Sequence, residues 1–237
     1  MDFFDGTVLD VGHRMRKSTQ LPARIAAVLA IVLVSLAAGA AIGGQLHRSL
    51  HSSMLPWILG RGLGLAAFVS LSALTISGLW IRHPARVHVR VPSPATWVRI
   101  HPMLAAVTIA LTVGHLTALA MDRFAFVGWR GALIPGASHW KPTAVGLGTA
   151  ALYGFILVGV SAGLAGRLGA RWWLPIHRLS GLVFIAATLH GITAGSDTSS
   201  LRLVYAVTAT FCAGLWASGL VLRWTRRSRR REGSPAW

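Results

Sequence analysis

The chain has 237 residues, 54% of them hydrophobic and only 12% charged, with 23 Lys and Arg against six Asp and Glu and a formal net charge of +17. A soluble domain carries about 25% charged residues, so a water-facing globule is excluded. In a soluble protein that charge would suggest nucleic acid; here it gathers at the ends of apolar runs, as expected beside anionic lipid headgroups, and nucleic acid is not a partner.

Residues 1–24 form a polar, basic N-terminal segment. Six apolar runs follow: Ile25–Gly44, Trp57–Ile81, Trp97–Met121, Thr143–Gly166, Trp172–Ala194 and Leu201–Trp224. A bilayer core about 30 Å thick takes about 20 such residues as a helix, and isolated strands cannot satisfy their backbone groups in lipid. The expected fold is therefore all-α, a polytopic six-helix membrane bundle over residues 25–224. The first run reads as an uncleaved anchor, because it is longer than a signal peptide's apolar stretch and has an extended leader. Trp57, Trp80, Trp97, Trp172, Trp173 and Trp224 mark run ends, where amphipathic rings lie at the membrane interface. Residues 225–237 are a basic tail, and no soluble domain is left over.

Basic residues set the orientation. Arg14, Arg16, Lys17 and Arg24 precede the first run, Arg82, Arg86, Arg90 and Arg99 separate the second from the third, Arg167 and Arg171 join the fourth to the fifth, and Arg223 to Arg231 crowd the tail. The opposite loops hold Arg48, Arg123, Arg130, Lys141 and Arg202. The positive-inside rule places both termini in the cytoplasm. The third and fifth runs then both point outward.

Ionisable groups inside a membrane are costly and ask for a reason. All six acids, Asp2, Asp5, Asp10, Asp122, Asp197 and Glu232, fall outside the runs, whereas four of the ten histidines lie on two of them: His101 and His115 on the third, His177 and His190 on the fifth. Separations of fourteen and thirteen residues correspond to roughly 21 and roughly 20 Å of helix. On parallel helices the depths match, His101 with His177 near the inner interface and His115 with His190 toward the outer side. Haem ligation wants this arrangement: two axial imidazoles on opposite faces of each porphyrin leave iron no open position and favour electron transfer. The competing reading is four independent histidines, each hydrogen-bonded to a neighbouring helix. Zinc fits less well, since carboxylate and thiolate support is missing. One geometric difficulty stands. At 100° per residue fourteen steps return to within about 40° of the starting face, but thirteen miss by about 140°; Pro175 and Gly181 are candidate sources of a distortion.

The segments Ile100-His101-Pro102 through Gly114-His115-Leu116, Trp172-Trp173-Leu174-Pro175-Ile176-His177-Arg178 through Leu189-His190-Gly191, and Trp57-Ile58-Leu59-Gly60-Arg61-Gly62-Leu63-Gly64 resemble the ferric reductase-like transmembrane domain family, over residues 57–224. That family includes the membrane part of ferric reductases and NADPH oxidases and the bacterial MsrQ-like subunits. The resemblance implies two b-type haems, inner on His101/His177 and outer on His115/His190, in a multi-pass protein of the bacterial inner or plasma membrane. It implies an oxidoreductase component that passes electrons from the cytoplasmic side to an outer acceptor. The chain departs from the oxidases in carrying no flavin and nicotinamide domain after its last run. Electrons would then come from a separate flavoprotein holding FMN or FAD, or from a quinol, and leave to a periplasmic or extracellular redox partner.

Arg61 and Arg178 are candidates for an outer and an inner haem propionate, against the plainer reading of arginines snorkelling to headgroups. Gly60 and Gly64, and Gly159 and Gly163, have the small-xxx-small spacing of close helix packing; Gly114 and Gly191 are read as making room for a porphyrin edge. The stretch Gly146-Leu147-Gly148 imitates a dinucleotide fingerprint but lies inside a spanning run and lacks a preceding strand, so it is discarded. Cys212 reads as a small buried residue. His13, His47, His51, His83 and His88 read as solvated or interfacial, and His139 and Asp197 as outer-loop residues near a partner or substrate. Two rival functions remain: a transporter or channel, disfavoured by the absence of carboxylates in the runs, and a haem-bearing anchor for a partner reductase.

Overall fold

The computed structural model describes residues 54–88, 93–196 and 198–232; the predicted first span and the basic N-terminal segment lie outside them. The described residues hold eight α-helices and no strand: α1 (Leu55–Ile81), α2 (Pro94–Ala120), α3 (Gly128–Leu133), α4 (Pro142–Gly163), α5 (Ala165–Leu168), α6 (Ala170–Arg178), α7 (Ser180–Ala194) and α8 (Thr198–Glu232), with a 3₁₀ turn at Pro84–His88. Proline opens α2 and α4 and stands in the first turn of α1, where its missing N–H is an orphan anyway. Ser93 caps α2 by accepting the Thr96 N–H at 3.2 Å. Five stretches are long and apolar enough to cross a bilayer: α1, α2, α4, α6 with α7 (Ala170–Ala194), and Thr198–Arg226 of α8.

These agree with the last five predicted spans, with three differences. The fifth is not one helix: it breaks at Leu179, whose N–H bonds to the Ile176 carbonyl at 3.0 Å, three residues back instead of four. The last helix runs on to Glu232, so the start of the basic tail is helical; arginine is a good helix former, and cations near a C-terminus complement the helix dipole. The loop after α2 contains the short helix α3, because buried Ala125, Val127 and Ala132 pack on Trp57 and Asp122 Oδ2 accepts the N–H groups of Phe124 and Ala125 at 3.1 and 2.6 Å.

Side chains are distributed inside out relative to a soluble protein. Ser70, Ser72, Ser77, Thr108, Thr149, Ser161 and Thr188 are buried, whereas Met103, Val113, Leu182 and Leu203 are exposed. Hydroxyls satisfy themselves on backbone carbonyls of the preceding turn, as Thr108 does on Leu104 at 2.7 Å, and across helices, as Ser70 does with Thr108 at 2.8 Å. Small residues between helices and large apolar ones outside are the pattern expected where lipid is the solvent.

Helix α1 packs closely along α2, and α4 along α7. Contacts of α1 with α7, and of α8 with both, join these two pairs into one bundle. Phe68, Phe184, Tyr205 and Cys212 fill its middle, with the Phe68 and Phe184 rings stacked at 6.2 Å and 18°. Cys212 is thus a small buried residue, as its setting in the sequence suggests. Helices α2 and α7 do not share the close backbone packing of the two main pairs. They meet through side chains instead.

Candidate haem-binding histidine pairs

Four histidines make such contacts, His101 and His115 on α2 with His177 on α6 and His190 on α7. The His101 and His177 rings lie 6.1 Å apart, centroid to centroid, at 64°; the His115 and His190 rings lie 6.2 Å apart at 77°. The pairing of first with first and second with second means that α2 runs parallel to α6 and α7. The separation is informative. Two imidazoles sharing a hydrogen bond, with nitrogens about 2.9 Å apart, would have centroids about 5 Å apart. Two imidazoles on opposite sides of one metal ion, each bonded at about 2 Å, would have them about 6 Å apart. Both pairs stand at the second spacing, which direct edge-to-face ring contacts, with centroids about 4.5–7 Å apart, also give.

Each ring is turned by its neighbours. His115 Nδ1 lies 2.6 Å from the Gly60 carbonyl oxygen, and His190 Nδ1 lies 2.8 Å from that of Ala144. A carbonyl can only accept, so Nδ1 carries the hydrogen and the Nε2 lone pair is left for a ligand bond. His101 Nδ1 lies 2.8 Å from Ser77 Oγ, and that hydroxyl spends its one hydrogen on the Leu74 carbonyl at 2.7 Å. His101 therefore donates through Nδ1 as well. This is the outer-shell arrangement that orients histidine ligands and raises their basicity. His177 is the exception: its Nδ1 is buried without a hydrogen-bond partner, and the Trp173 ring meets it edge-on at 5.4 Å.

Glycine makes these approaches possible. A Cβ added at Gly64 would stand 2.7 Å from His115, one at Gly148 2.6 Å from His190, and one at Gly78 3.1 Å from His101. Each glycine lies four residues after the carbonyl concerned: Gly60 and Gly64, Ala144 and Gly148, Leu74 and Gly78. In an α-helix residues i and i+4 stack on one face. A residue without a side chain at i+4 lets an imidazole lie against the helix and reach the second lone pair of carbonyl i. Sequence reasoning missed this role for Gly78 and Gly148; Ala144 and Gly148 have the small-xxx-small spacing that could have marked it, whereas Leu74 and Gly78 do not.

The break at Leu179 bears on the thirteen-residue spacing. An ideal helix falls about 140° short of four full turns over thirteen residues, and a tightened i→i−3 step winds further per residue. The break lies between His177 and His190 and adds rotation in the missing direction. Pro175 lies inside α6, four residues before the break, and a proline disturbs the turn that precedes it, so the break is not its direct effect. At Gly181 an added Cβ would meet nothing within 4 Å.

Several other sequence readings are corrected. Gly114 and Gly191 serve helix packing: added Cβ atoms would meet Leu63 at 3.2 Å and the Tyr205 hydroxyl at 2.9 Å. Gly159 and Gly163 have open space around them and make no close helix approach within the described residues. His83 is not solvated but 6% exposed. It stacks on Trp80 at 5.7 Å, accepts the Ala85 N–H through Nδ1, and meets Ser218 through Nε2 at 3.2 Å. It is a satisfied structural histidine that ties the end of α1 to α8. His139 is exposed, and Asp197 lies outside the described residues.

Arg61 is half-buried, next to Gly60 on α1, and Arg178 is exposed beside His177; each thus stands at the level of one ring pair. Arg82, just past α1, belongs with Arg178. Partial desolvation first, then the charges of Arg178 and Arg223, hold its guanidinium below the ordinary range. Among the described residues no three His, Cys, Asp or Glu side chains come together as a metal site; each level offers two imidazoles, the number that axial haem ligation uses. Ring separation and donor chemistry fit such a group. No family model, curated protein or solved structure matches the chain.

Proposed function

We propose that this chain is a membrane-embedded di-haem b cytochrome, of ferric reductase-like or MsrQ-like type, that passes electrons from the cytoplasmic side of a bacterial membrane to an acceptor outside. The observation that carries this reading is the pair of imidazole couples, 6.1 and 6.2 Å apart, on parallel lipid-embedded helices. His101 and His177 would hold the inner group, His115 and His190 the outer. A bis-histidine haem supplies one-electron chemistry at an iron with no vacant position.

The protein's own residues do the remaining work in this reading. The Gly60 and Ala144 carbonyls and the Ser77 hydroxyl fix ring orientation. The Phe68, Phe184 and Tyr205 cluster excludes water between the two levels. Arg61 and Arg178 supply positive charge for propionates. Six spans with both termini cytoplasmic complete the proposed topology, with a separate flavoprotein or a quinol as donor and a periplasmic redox partner as acceptor. Among the described side chains no carboxylate lies within a span, which removes the usual coupling group of an ion-driven carrier.

The test is a reduced-minus-oxidised spectrum of the purified chain together with haem stoichiometry. Two b-type haems per chain are expected, with His115→Ala or His190→Ala leaving one. A colourless protein, or full retention of both haems in these variants, would overturn the assignment.

A further inference from the structure

The connection between α2 and α4 is apolar where a water-facing loop would be polar. From Phe124 to Ser138 it carries one ionisable residue, Arg130. Phe126 is 68% exposed, and Trp129, Leu133 and Ile134 are exposed with it. Phe126 also holds a left-handed backbone, φ +50°, a conformation that is costly for a residue with a side chain. No burial within the protein offsets that cost.

The depth of the segment follows from its bonds to α4. The Thr149 hydroxyl donates to the Ala132 carbonyl at 3.0 Å, and the Tyr153 hydroxyl to the Leu133 carbonyl at 2.6 Å. A Cβ added at Gly146 would stand 3.2 Å from the Gly136 nitrogen. Helix α4 has 22 residues, about 33 Å of axis, which is little more than a hydrocarbon core about 30 Å thick. Almost all of it is therefore needed inside the membrane. Thr149 lies seven residues past Pro142, roughly 10 Å down that axis. The end of α3 thus runs beside α4 and does not rest on top of it. Gly148, the neighbour of Thr149, is the residue that backs the His190 ring, so α3 ends at the depth of His115 and His190.

The main chain is equipped for that depth. Lipid offers no partner to a carbonyl, so an irregular segment within it must have its polar groups taken by protein. A helix leaves its last carbonyls without intrahelical partners. Here Arg130 accepts the Ile134 N–H at 2.9 Å and Ile134 accepts the Ala137 N–H at 3.1 Å, while the two α4 hydroxyls take Ala132 and Leu133. In a solvated loop water would serve these groups.

We infer that Phe124–Ser138 is a re-entrant element, seated in the leaflet where α2 ends and α4 begins, with its exposed apolar side chains, Ile134 foremost, against lipid acyl chains. It bridges α2 and α4, one helix from each of the two main pairs, at the level of one histidine couple. Arg130 is long enough to carry its charge to the headgroups. Moving the Phe126 ring from water to lipid offsets its backbone strain.

The experiment is electron paramagnetic resonance on the full chain in vesicles of phosphatidylcholine and phosphatidylglycerol. A nitroxide is attached at Ile134→Cys, or at His139→Cys as the water-facing comparison, each with Cys212→Ser. Oxygen, which concentrates in lipid, should relax the label at 134 strongly, and a neutral water-soluble nickel chelate should lose most of the effect it has at 139. Equal nickel access at the two positions would overturn the inference and make the segment a water-facing loop. Should Ile134→Cys fail to fold, Leu133→Cys gives the same reading. Neither label depends on haem: a colourless protein with a lipid-facing label would remove the di-haem reading and leave this one standing.

Discussion

The His190 ring lies against Gly148 and reaches, through Nδ1, the carbonyl of Ala144 one turn earlier on the same helix, at 2.8 Å. His115 is held in the same way by Gly64 and the Gly60 carbonyl. Two helix pairs share one arrangement: a carbonyl to accept, and four residues later no side chain to obstruct.

Enlarging that glycine should therefore damage one level selectively. Gly64→Ala and Gly148→Ala put a methyl 2.7 and 2.6 Å from the ring, an overpacking cost of about 1–3 kcal/mol. Each variant is expected to lose most of one haem and keep the other, read as haem per chain. Gly159→Ala, with nothing within 4 Å, should keep both and gain up to about 1 kcal/mol from helix propensity.

His83 supplies a control for the ligand assignment. It is as buried as any histidine in the bundle, but both of its nitrogens are engaged with protein groups. His83→Ala should lower thermal stability, through loss of the Trp80 stack and the tie to α8, while haem content stays at the wild-type value. Loss of a haem in this variant would mean that the wrong histidines have been paired.

The Ser70–Thr108 hydrogen bond joins α1 to α2 within the described bundle. Interhelical bonds of this kind in membranes couple by about 0.6 kcal/mol, with a maximum near 1.7. A double-mutant cycle with Ser70→Ala and Thr108→Val, followed by detergent-induced unfolding, should return a coupling in that range.

Lys141 combines a left-handed backbone, φ +40°, with an ammonium that caps α7 by donating to the Thr193 carbonyl at 3.0 Å. Left-handed geometry costs a side-chain-bearing residue about 1–2 kcal/mol, which glycine avoids. Both Lys141→Gly and Lys141→Ala lose the cap, but only the first relieves the backbone. The glycine variant should melt above the alanine variant.

Topology can be read with a single thiol. Cys212 is 5% exposed, so Cys212→Ser gives a quiet background. A cysteine at His139 should react with an impermeant maleimide from outside intact cells, and one at Arg167 only after the membrane is opened. The reverse pattern would invert the proposed orientation.

Much of this architecture was legible in the chain. Five spans follow from apolar run length because lipid leaves the backbone no alternative to helix. The matching depths of His101 with His177 and His115 with His190 follow from residue counts once the helices are parallel. The break at Leu179 was not legible as a position, because Pro175 and Gly181 marked the region equally well. Nor was the order in the loop after Asp122, which depends on Trp57 sixty-odd residues earlier. That His83 is buried and not solvated was not legible, because its setting is made by Trp80 and by Ser218 on a distant helix, and local polarity says nothing of either. Gly64 was visible as spacing with Gly60, but Gly78 was not, and which ring each glycine faces is a fact of packing.

Because the groups that orient His115 and His190 are main-chain oxygens, no replacement of the residue that owns the oxygen can delete them. Substitution can spoil the arrangement only by adding bulk, and chiefly at two positions, Gly64 and Gly148. The vulnerability of this layer lies in atoms the protein must continue to lack.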